Sequence, residues 1–451
     1  MSDIIAAIAT GRAPCAIGIL RLSGPGCAAL TGRVFTPKQP FADAPDRRLV
    51  LGLLHDRQGR VIDECLGVVC RAPHSYTGEE TVELQCHGSP AMLAAGLESL
   101  LAAGARQAGP GEFTRRAFLN GKLDLTQAEA VVDLIDAETA DAAANAAGQL
   151  GGALKRAIGP VYDGLTDLCS HFHAVLDYPD EDIEDFGAAE LSGALDRAGA
   201  ALQELLATYE KGRHLRQGVR AVLLGKPNAG KSSLLNRLAG YDRVIVTDIA
   251  GTTRDTVEEP VRVGRVLLRL TDTAGIREAG DAIEALGVAR SEQAAREAEL
   301  ALFVCDASQP LTDEDRRAIE AAKCAPRSLA LCNKSDLPAA VSPDELPFDT
   351  VLTVSARTGA GLDALPAVLE GWFLGENACD GSLLTNPRQF GALDRASRAI
   401  ERAKTGLSLG VTPDAVLTDV EEAMAALGEV TGRTVREDIT NRIFERFCVG
   451  K

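Results

Sequence analysis

The chain has 451 residues, of which 46% are apolar and 25% are charged, a composition typical of a globular protein with about two to four domains. No apolar run reaches the ~18 residues that a membrane span requires, so we expect no membrane-spanning segment. Eleven scattered cysteines without a C-x-x-C pair argue against a zinc ribbon or a disulfide scaffold and favour a reducing cytoplasm. The net charge of −17 argues against broad electrostatic binding of nucleic acid, although a local basic patch is compatible with it.

Residues 1–118 are predicted to form an α+β domain. Three strands are expected, at 16–22, 64–70 and 80–86, and a helix at 91–103 that Gly104 ends. Arg21 and Glu83 lie in two of these strands. Taken alone, each is more readily interpreted as part of a solvated strand face than as a ligand contact.

Two stretches, 119–213 and 376–451, are predicted to be helical and to form one all-α domain. Periodic apolar residues indicate helices at 123–147, 158–176, 188–209, 387–407, 413–427 and 434–447. The acidic, proline-containing run 177–185 is expected to be a solvated connection. Because an α/β pattern at 214–375 separates the two stretches, we expect an inserted domain whose ends lie close together.

The inserted domain opens with a phosphate-binding motif. Residues 225–232 read GKPNAGKS, which matches G-x-x-x-x-G-K-[ST], and they stand between an apolar strand at 219–224 and the start of a helix. A glycine-rich turn at a helix N-terminus directs backbone N–H groups at a phosphate. Lys231 is predicted to reach the β- and γ-phosphates, and the Ser232 hydroxyl to bind Mg²⁺.

Three further loops follow apolar strands in the order typical of Ras-like G domains. Asp272 opens the D-T-A-G motif, Asp336 closes the N-K-S-D motif, and residues 355–357 read SAR. A carboxylate at Asp336 can accept the two N–H groups on the guanine edge, which adenine lacks, and therefore selects GTP. Loops at the carboxyl ends of successive strands are where a doubly wound sheet binds its ligand.

Four other segments make the chain resemble one family. They lie at 77–88, 110–125, 246–255 and 447–451, and together with the G motifs they resemble the MnmE (TrmE) GTPases, which modify the wobble uridine of certain tRNAs. The resemblance runs from the first residues to Lys451. The family's usual ending carries Ile where this chain has Val449, which is a loss of one methylene.

The resemblance implies an architecture and a set of partners. It implies a folate-binding, dimerising α+β domain, an all-α helical domain and an inserted Ras-like P-loop G domain. It also implies a cytoplasmic homodimer that assembles with the flavoprotein MnmG (GidA) into a heterotetramer and acts on tRNA. The cofactors would be GTP, Mg²⁺, K⁺ and a tetrahydrofolate derivative (5-formyl or methylene) that supplies one carbon to C5 of the uridine.

The resemblance also assigns roles residue by residue. Mg²⁺ would be bound by Ser232 and Thr253, K⁺ by Asn228, Thr247, Ile249 and Thr252, and folate by Arg21, Glu83, Lys122 and Lys451. The GTP contacts would be Asn228, Ala229, Gly230, Lys231, Ser232, Ser233, Thr247, Thr252, Thr253, Asp272, Thr273, Ala274, Gly275, Asn333, Lys334, Asp336, Ser355, Ala356 and Arg357.

Two catalytic candidates remain, each with a simpler alternative. Ile276 occupies the position of the water-orienting Gln of Ras-like proteins and cannot polarise water, and the resemblance gives that task to Glu284. Without the resemblance, Glu284 is more readily a solvated helix residue. Cys448, which the resemblance places in the modification chemistry, is on sequence alone a free thiol at a frayed terminus.

The G motifs also occur in ribosome-assembly GTPases of the Era or Der kind, which is the alternative function. Such proteins usually carry a KH-type RNA module or a second G domain. This chain has no G-x-x-G loop after residue 376, and Lys231 belongs to its only P-loop.

Overall fold

The structure, a computed structural model, describes residues 3–11, 13–177, 188–241, 258–272, 284–375, 380–434, 443–445 and 447–450. The chain divides into two compact units. The first comprises residues 1–132, 155–195 and 398–451, and the second comprises residues 133–154 and 196–397.

The first unit is built on a seven-stranded sheet. Its strands lie in the order β3-β4-β5-β6-β2-β1-β7, and every neighbouring pair is antiparallel except β1 and β7. Apolar and polar residues alternate along the central strands, and Val82 and Leu84 are fully buried while Glu83 between them is half-buried. The strands are β1 Ile5–Ile8, β2 Cys15–Ser23, β3 Phe35–Pro37, β4 Val50–His55, β5 Val61–Cys70, β6 Thr81–Gly88 and β7 Arg106–Gln107.

Among the helices that precede the G motifs, two predictions need correction. The predicted helix 123–147 is wrong as a single element, because it breaks into two at residues 136–139. The Thr139 hydroxyl accepts a hydrogen bond from the Ala142 N–H (3.1 Å) and so caps a new helix inside the alanine-rich run. The predicted helix 188–209 likewise ends at Ala207, and another begins at Tyr209. The helices are α1 Cys27–Thr31, α2 Pro90–Ala102, α3 Glu112–Leu119, α4 Leu125–Ile135, α5 Ala140–Leu150, α6 Ala153–Asp177, α7 Ala188–Ala207 and α8 Tyr209–Gln217.

The second unit contains a six-stranded sheet in the order β13-β12-β11-β8-β10-β9. All neighbours are parallel except β9, which is antiparallel to β10. The strands are β8 Val219–Leu224, β9 Glu258–Val263, β10 Val266–Asp272, β11 Leu300–Asp306, β12 Arg327–Asn333 and β13 Val351–Thr353, and the helices are α9 Lys231–Tyr241, α10 Glu284–Glu297, α11 Asp313–Ala322 and α12 Ala364–Phe373.

Four of these strands, β8, β10, β12 and β13, were predicted from apolar runs and are confirmed. The sequence interpretation missed β11, although all seven of its residues are buried. Separate apolar clusters cover the two faces of the sheet, as expected for a doubly wound fold.

Two long helices follow the G motifs, α13 Pro387–Ser408 and α14 Pro413–Thr431, close to the predicted positions. The predicted helix 434–447 lies largely outside the described residues, as does the acidic run from 178 onwards. Short 3-10 turns occur at Phe41–Asp43 and Pro343–Glu345. Among the helices that the structure describes, none is long and apolar enough to cross a membrane.

Candidate functional sites

The loop at 225–232 joins β8 to α9 in a conformation that needs its glycines. Gly225 has φ +143°, and a Cβ there would lie 2.1 Å from the Val304 carbonyl oxygen. Gly230 has φ +98°, and a Cβ there would lie 2.1 Å from Nδ2 of Asn333. Any side chain at either position would force the loop away from its neighbouring strands.

The charged and hydroxyl side chains of this loop lie around the start of α9 and toward α11. The Lys231 ammonium group bends back over the loop and donates to the carbonyls of Gly225 (2.5 Å) and Lys226 (2.9 Å). Ser232 and Ser233 are exposed in the first turn of α9, where backbone N–H groups and the helix dipole favour an anion. The Lys226 ammonium group pairs with the buried carboxylate of Asp315 (2.9 Å) and so anchors the loop to α11.

Asn333 connects three of the predicted loops. Its Nδ2 donates to the Ala229 carbonyl (2.8 Å), and its Oδ1 accepts from the Ala356 N–H (2.9 Å). Lys334, which follows it, has φ +67° and donates to Oδ2 of Asp306 (2.7 Å). The buried amide therefore sets the spacing between the phosphate loop and the S-A-R loop.

Asp336 lies at the open end of this arrangement. Its Oδ1 accepts from the Ser355 hydroxyl (2.5 Å), and its Oδ2 pairs with the Arg357 guanidinium (2.5 Å). The Ser355 hydrogen bond is the largest of the contacts that lower the pKa of Asp336 below its usual range, and the positive charge of Arg357 acts in the same direction. The group is thus an ionised acceptor at neutral pH, as selection of the guanine edge requires.

Several predicted site residues lie outside the described residues. Asp272 ends β10 beside Leu223 of β8, and Glu284 begins α10, but the structure describes the side chain of neither. The residues not described at all are Thr247, Ile249, Thr252, Thr253, Thr273, Ala274, Gly275 and Lys451.

A second candidate site lies on the sheet of the first unit. Arg21 and Glu83 are cross-strand partners on β2 and β6, and their side chains form an ion pair (2.8 Å). The guanidinium carbon of Arg21 lies 5.8 Å from the ring centroids of both Tyr76 and Phe113. Of the two rings, Tyr76 is 38% exposed and therefore accessible to a ligand, whereas Phe113 is fully buried.

The end of the chain docks against this cluster. The Gly111 N–H donates to the Cys448 carbonyl (3.3 Å), Val449 bridges to Pro110, and Arg21 donates to the Gly450 carbonyl (3.2 Å). Phe447 is 6% exposed. The frayed-terminus interpretation is therefore wrong for residues 447–450, where the backbone is anchored while the side chains of Cys448 and Val449 are exposed.

Lys122 contacts the loop that carries Tyr76. Its ammonium group donates to the Pro73 carbonyl (3.1 Å), and the Asn120 amide donates to the Thr77 carbonyl (2.7 Å). The folate candidates that the structure describes thus lie close to one loop: Arg21 on β2, Glu83 on β6, and Lys122 beside the loop that carries Tyr76.

The sequence interpretation missed Arg116, which helps to order the loop that carries Tyr76. This buried guanidinium pairs with Glu79 (2.8 Å) and Asp3 (2.6 Å) and donates to the Ser23 carbonyl (3.2 Å). Nothing in the sequence distinguishes it from its neighbour Arg115, since burial arises only from tertiary packing.

Comparison with known proteins identifies two matching family models. Residues 125–448 match the MnmE helical domain, and residues 4–122 match the GTP-binding protein TrmE N-terminus. Similar proteins named tRNA modification GTPase MnmE occur in Roseiflexus sp. (strain RS-1), 45% identical, and in Aquifex aeolicus (strain VF5), 41% identical. A third, from Xanthomonas campestris pv. campestris (strain 8004), is 43% identical. Each alignment covers 100% of this chain and 99–100% of the relative.

Proposed function

Because this chain belongs to the MnmE family, it is a GTPase of tRNA modification, and we propose that potassium-activated GTP hydrolysis drives a folate-dependent reaction at C5 of the wobble uridine. The single observation that carries the folate part is the docking of the chain end onto the Arg21–Glu83 pair. It puts an exposed thiol on a segment fixed to a charged, aromatic cluster.

The chemistry of this cluster fits a reduced folate. The pyrimidine edge of a pterin carries an amino group and a ring N–H, which a carboxylate such as Glu83 can accept together, as Asp336 would for guanine. Arg21 holds that carboxylate in place through the ion pair, while Tyr76 offers exposed aromatic surface. Lys122 and Lys451 would bind the negatively charged tail of the cofactor.

The G domain would hold two metal ions. The exposed Ser232 hydroxyl at the start of α9 fits one Mg²⁺ ligand, and Thr253 would provide another. Asn228, exposed at the tip of the phosphate loop with φ +63°, would bind K⁺ with Thr247, Ile249 and Thr252. A cation there would supply positive charge at the β–γ bridge, as an arginine finger does in other GTPases.

Potassium dependence tests the metal proposal. Steady-state GTP hydrolysis should rise steeply when K⁺ replaces Na⁺ at constant ionic strength, and Asn228→Ala should remove most of that rise. Equal rates in the two salts would contradict the potassium site.

Glu284 would orient the attacking water, since Ile276 cannot. Its position at the first residue of α10, just beyond the D-T-A-G segment, supports this role. Thr273, Ala274 and Gly275, for which we propose contacts with GTP, belong to the D-T-A-G segment.

The proposed partners are a second copy of this chain, tRNA and the flavoprotein MnmG, with which it would form a heterotetramer. Leu51 and Leu53 on β4 and Leu66 on β5 support self-association, because they are 54%, 37% and 36% exposed and Leu51 is paired directly with Leu66. The proposed domains are 1–118, 119–213, 214–375 and 376–451, with the third inserted into the helical domain.

The role of Cys448 gives the direct test of the coupled function. We expect Cys448→Ser to hydrolyse GTP at the wild-type rate and to lose tRNA modification in a reaction containing the flavoprotein and folate. Cys324→Ser, at a half-buried cysteine after α11, is the matched control and should retain both activities. Full modification by Cys448→Ser would refute the assignment.

A further inference from the structure

Arg237 connects the helix after the phosphate loop to the loop that would contact guanine. It lies in the second turn of α9 and is half-buried. Its Nε donates to the Ala356 carbonyl (3.0 Å), and its Nη2 donates to the Arg357 carbonyl. Two successive peptide groups of the S-A-R loop are therefore held by one guanidinium group.

Holding these carbonyls also fixes the opposite sides of the same peptides. A trans peptide is planar and its N–H points away from its C=O, so the Arg357 carbonyl facing Arg237 directs the Thr358 N–H the other way. That N–H donates to the Ser355 hydroxyl oxygen (3.2 Å), and the Ser355 hydroxyl donates to Oδ1 of Asp336 (2.5 Å). A continuous series of hydrogen bonds thus runs from Arg237 to the carboxylate that selects guanine.

The loop is held independently from its other side. Asn333 accepts the Ala356 N–H (2.9 Å), and the Ser355 N–H donates to the Ala360 carbonyl (2.9 Å). The Asn333 contact fixes the loop relative to β12 and the Ser355–Ala360 contact closes the loop on itself, whereas Arg237 fixes the loop relative to α9. Since α9 begins at the phosphate loop, Arg237 adds a second connection, beside that of Asn333, between the base-binding and the phosphate-binding ends of the site.

We propose that Arg237 is a positioning residue that controls how long a guanine nucleotide stays bound, acting through residues 355–358 and Asp336. It does not touch the reacting phosphates. Loss of its hydrogen bonds frees the loop and weakens the base contacts, whereas the rate at which bound GTP is hydrolysed is unchanged.

The test measures nucleotide release from the full-length chain with a fluorescent GDP analogue. Arg237→Ala should raise the dissociation rate about tenfold, as expected for loss of hydrogen bonds from a charged donor, with kcat at saturating GTP within about twofold of wild type. Arg237→Lys, which keeps the charge and has fewer correctly placed donors, should give a dissociation rate between those of wild type and Arg237→Ala. Arg316→Ala, at a 73% exposed side chain on α11, is the control and should match wild type.

A double-mutant cycle separates positioning from a general loss of stability. Ser355→Ala interrupts the same series of hydrogen bonds, so its effect on the release rate should be strongly non-additive with that of Arg237→Ala. An unchanged release rate in Arg237→Ala, or additive effects of the two substitutions, would overturn the proposal. If Arg237→Ala does not fold, Arg237→Lys combined with Ser355→Ala decides the question in the same way.

Discussion

In the proposed guanine site, two side chains of one motif have different roles. Asn333 is 2% exposed and uses both ends of its amide inside the protein, whereas Asp336 carries a charge at the open end of the site. Asn333 therefore fixes the spacing between the phosphate loop and the S-A-R loop, and Asp336 can exchange its Arg357 partner for the base.

The proposed folate contacts make a prediction at single residues. Glu83→Gln replaces one of the two acceptor oxygens for pterin N–H groups with a donor and removes the charge, and Arg21→Ala releases that carboxylate, so each should weaken binding of 5-formyltetrahydrofolate about tenfold or more. Isothermal titration calorimetry on the full chain would measure this. Arg60→Ala, at a 77% exposed side chain paired with Asp56, should leave the affinity unchanged. Wild-type affinity in both site variants would exclude this cluster as the folate site.

At the residue scale, sequence patterns identified the side chains with a recognisable motif and missed those that act through packing. Asp336, Lys231 and Asn333 were predicted because the chemistry of phosphate and guanine fixes their spacing. Arg116 and Arg237 were not predicted, since an arginine in a helix carries no sign of the carbonyls it will meet.

Glu299 organises the packing of three elements in the second unit. It lies directly before β11 and is 14% exposed. Its carboxylate accepts from Arg213 (2.5 Å) and His214 (3.1 Å) of α8 and from the Arg220 N–H (3.1 Å) of β8. Burial alone would raise the pKa of Glu299, but these hydrogen bonds outweigh it and lower the pKa far below the ordinary 4.5.

This shift makes a prediction about acid stability. A lowered pKa in the folded state contributes stability that is complete above pH 4.5 and is lost as the pH falls through the folded-state value. Glu299→Gln should therefore lower the free energy of unfolding by about 2 kcal/mol at pH 7, and the difference from wild type should shrink below pH 4.5. Urea unfolding at pH 7, 5 and 4 measures it. A difference that does not change with pH would show that the lost contact is not ionic.

Element prediction succeeded where one physical signal dominated. The long helices α13 and α14 and the strands before each G motif were predicted from periodicity and apolar runs. The break between α4 and α5 was missed because alanine, a strong helix former, lies on both sides of the Thr139 cap. The strand β11 carries no motif and was overlooked, although all seven of its residues are buried. Its last residue, Asp306, accepts a hydrogen bond from Lys334.

The proposed homodimer gives a prediction for the whole molecule. Leu51→Asp puts a charge in the exposed apolar strip of β4 and β5, so it should convert a dimer into a monomer in light scattering at micromolar concentration. Leu409→Asp, at a 75% exposed leucine after α13, should stay dimeric. A Leu51→Asp variant that remains dimeric would place the interface elsewhere.

The proposed function couples two events: selection of the guanine nucleotide by Asp336 and modification of tRNA. In xanthine an oxygen replaces the amino group that would donate a hydrogen bond to the carboxylate. Asp336→Asn, whose amide can donate to that oxygen, should therefore prefer XTP. The decisive measurement is tRNA wobble modification by this variant with the flavoprotein partner and folate. We predict product with XTP and little with GTP, the reverse of wild type. Equal modification with both nucleotides, or with neither added, would contradict the coupling.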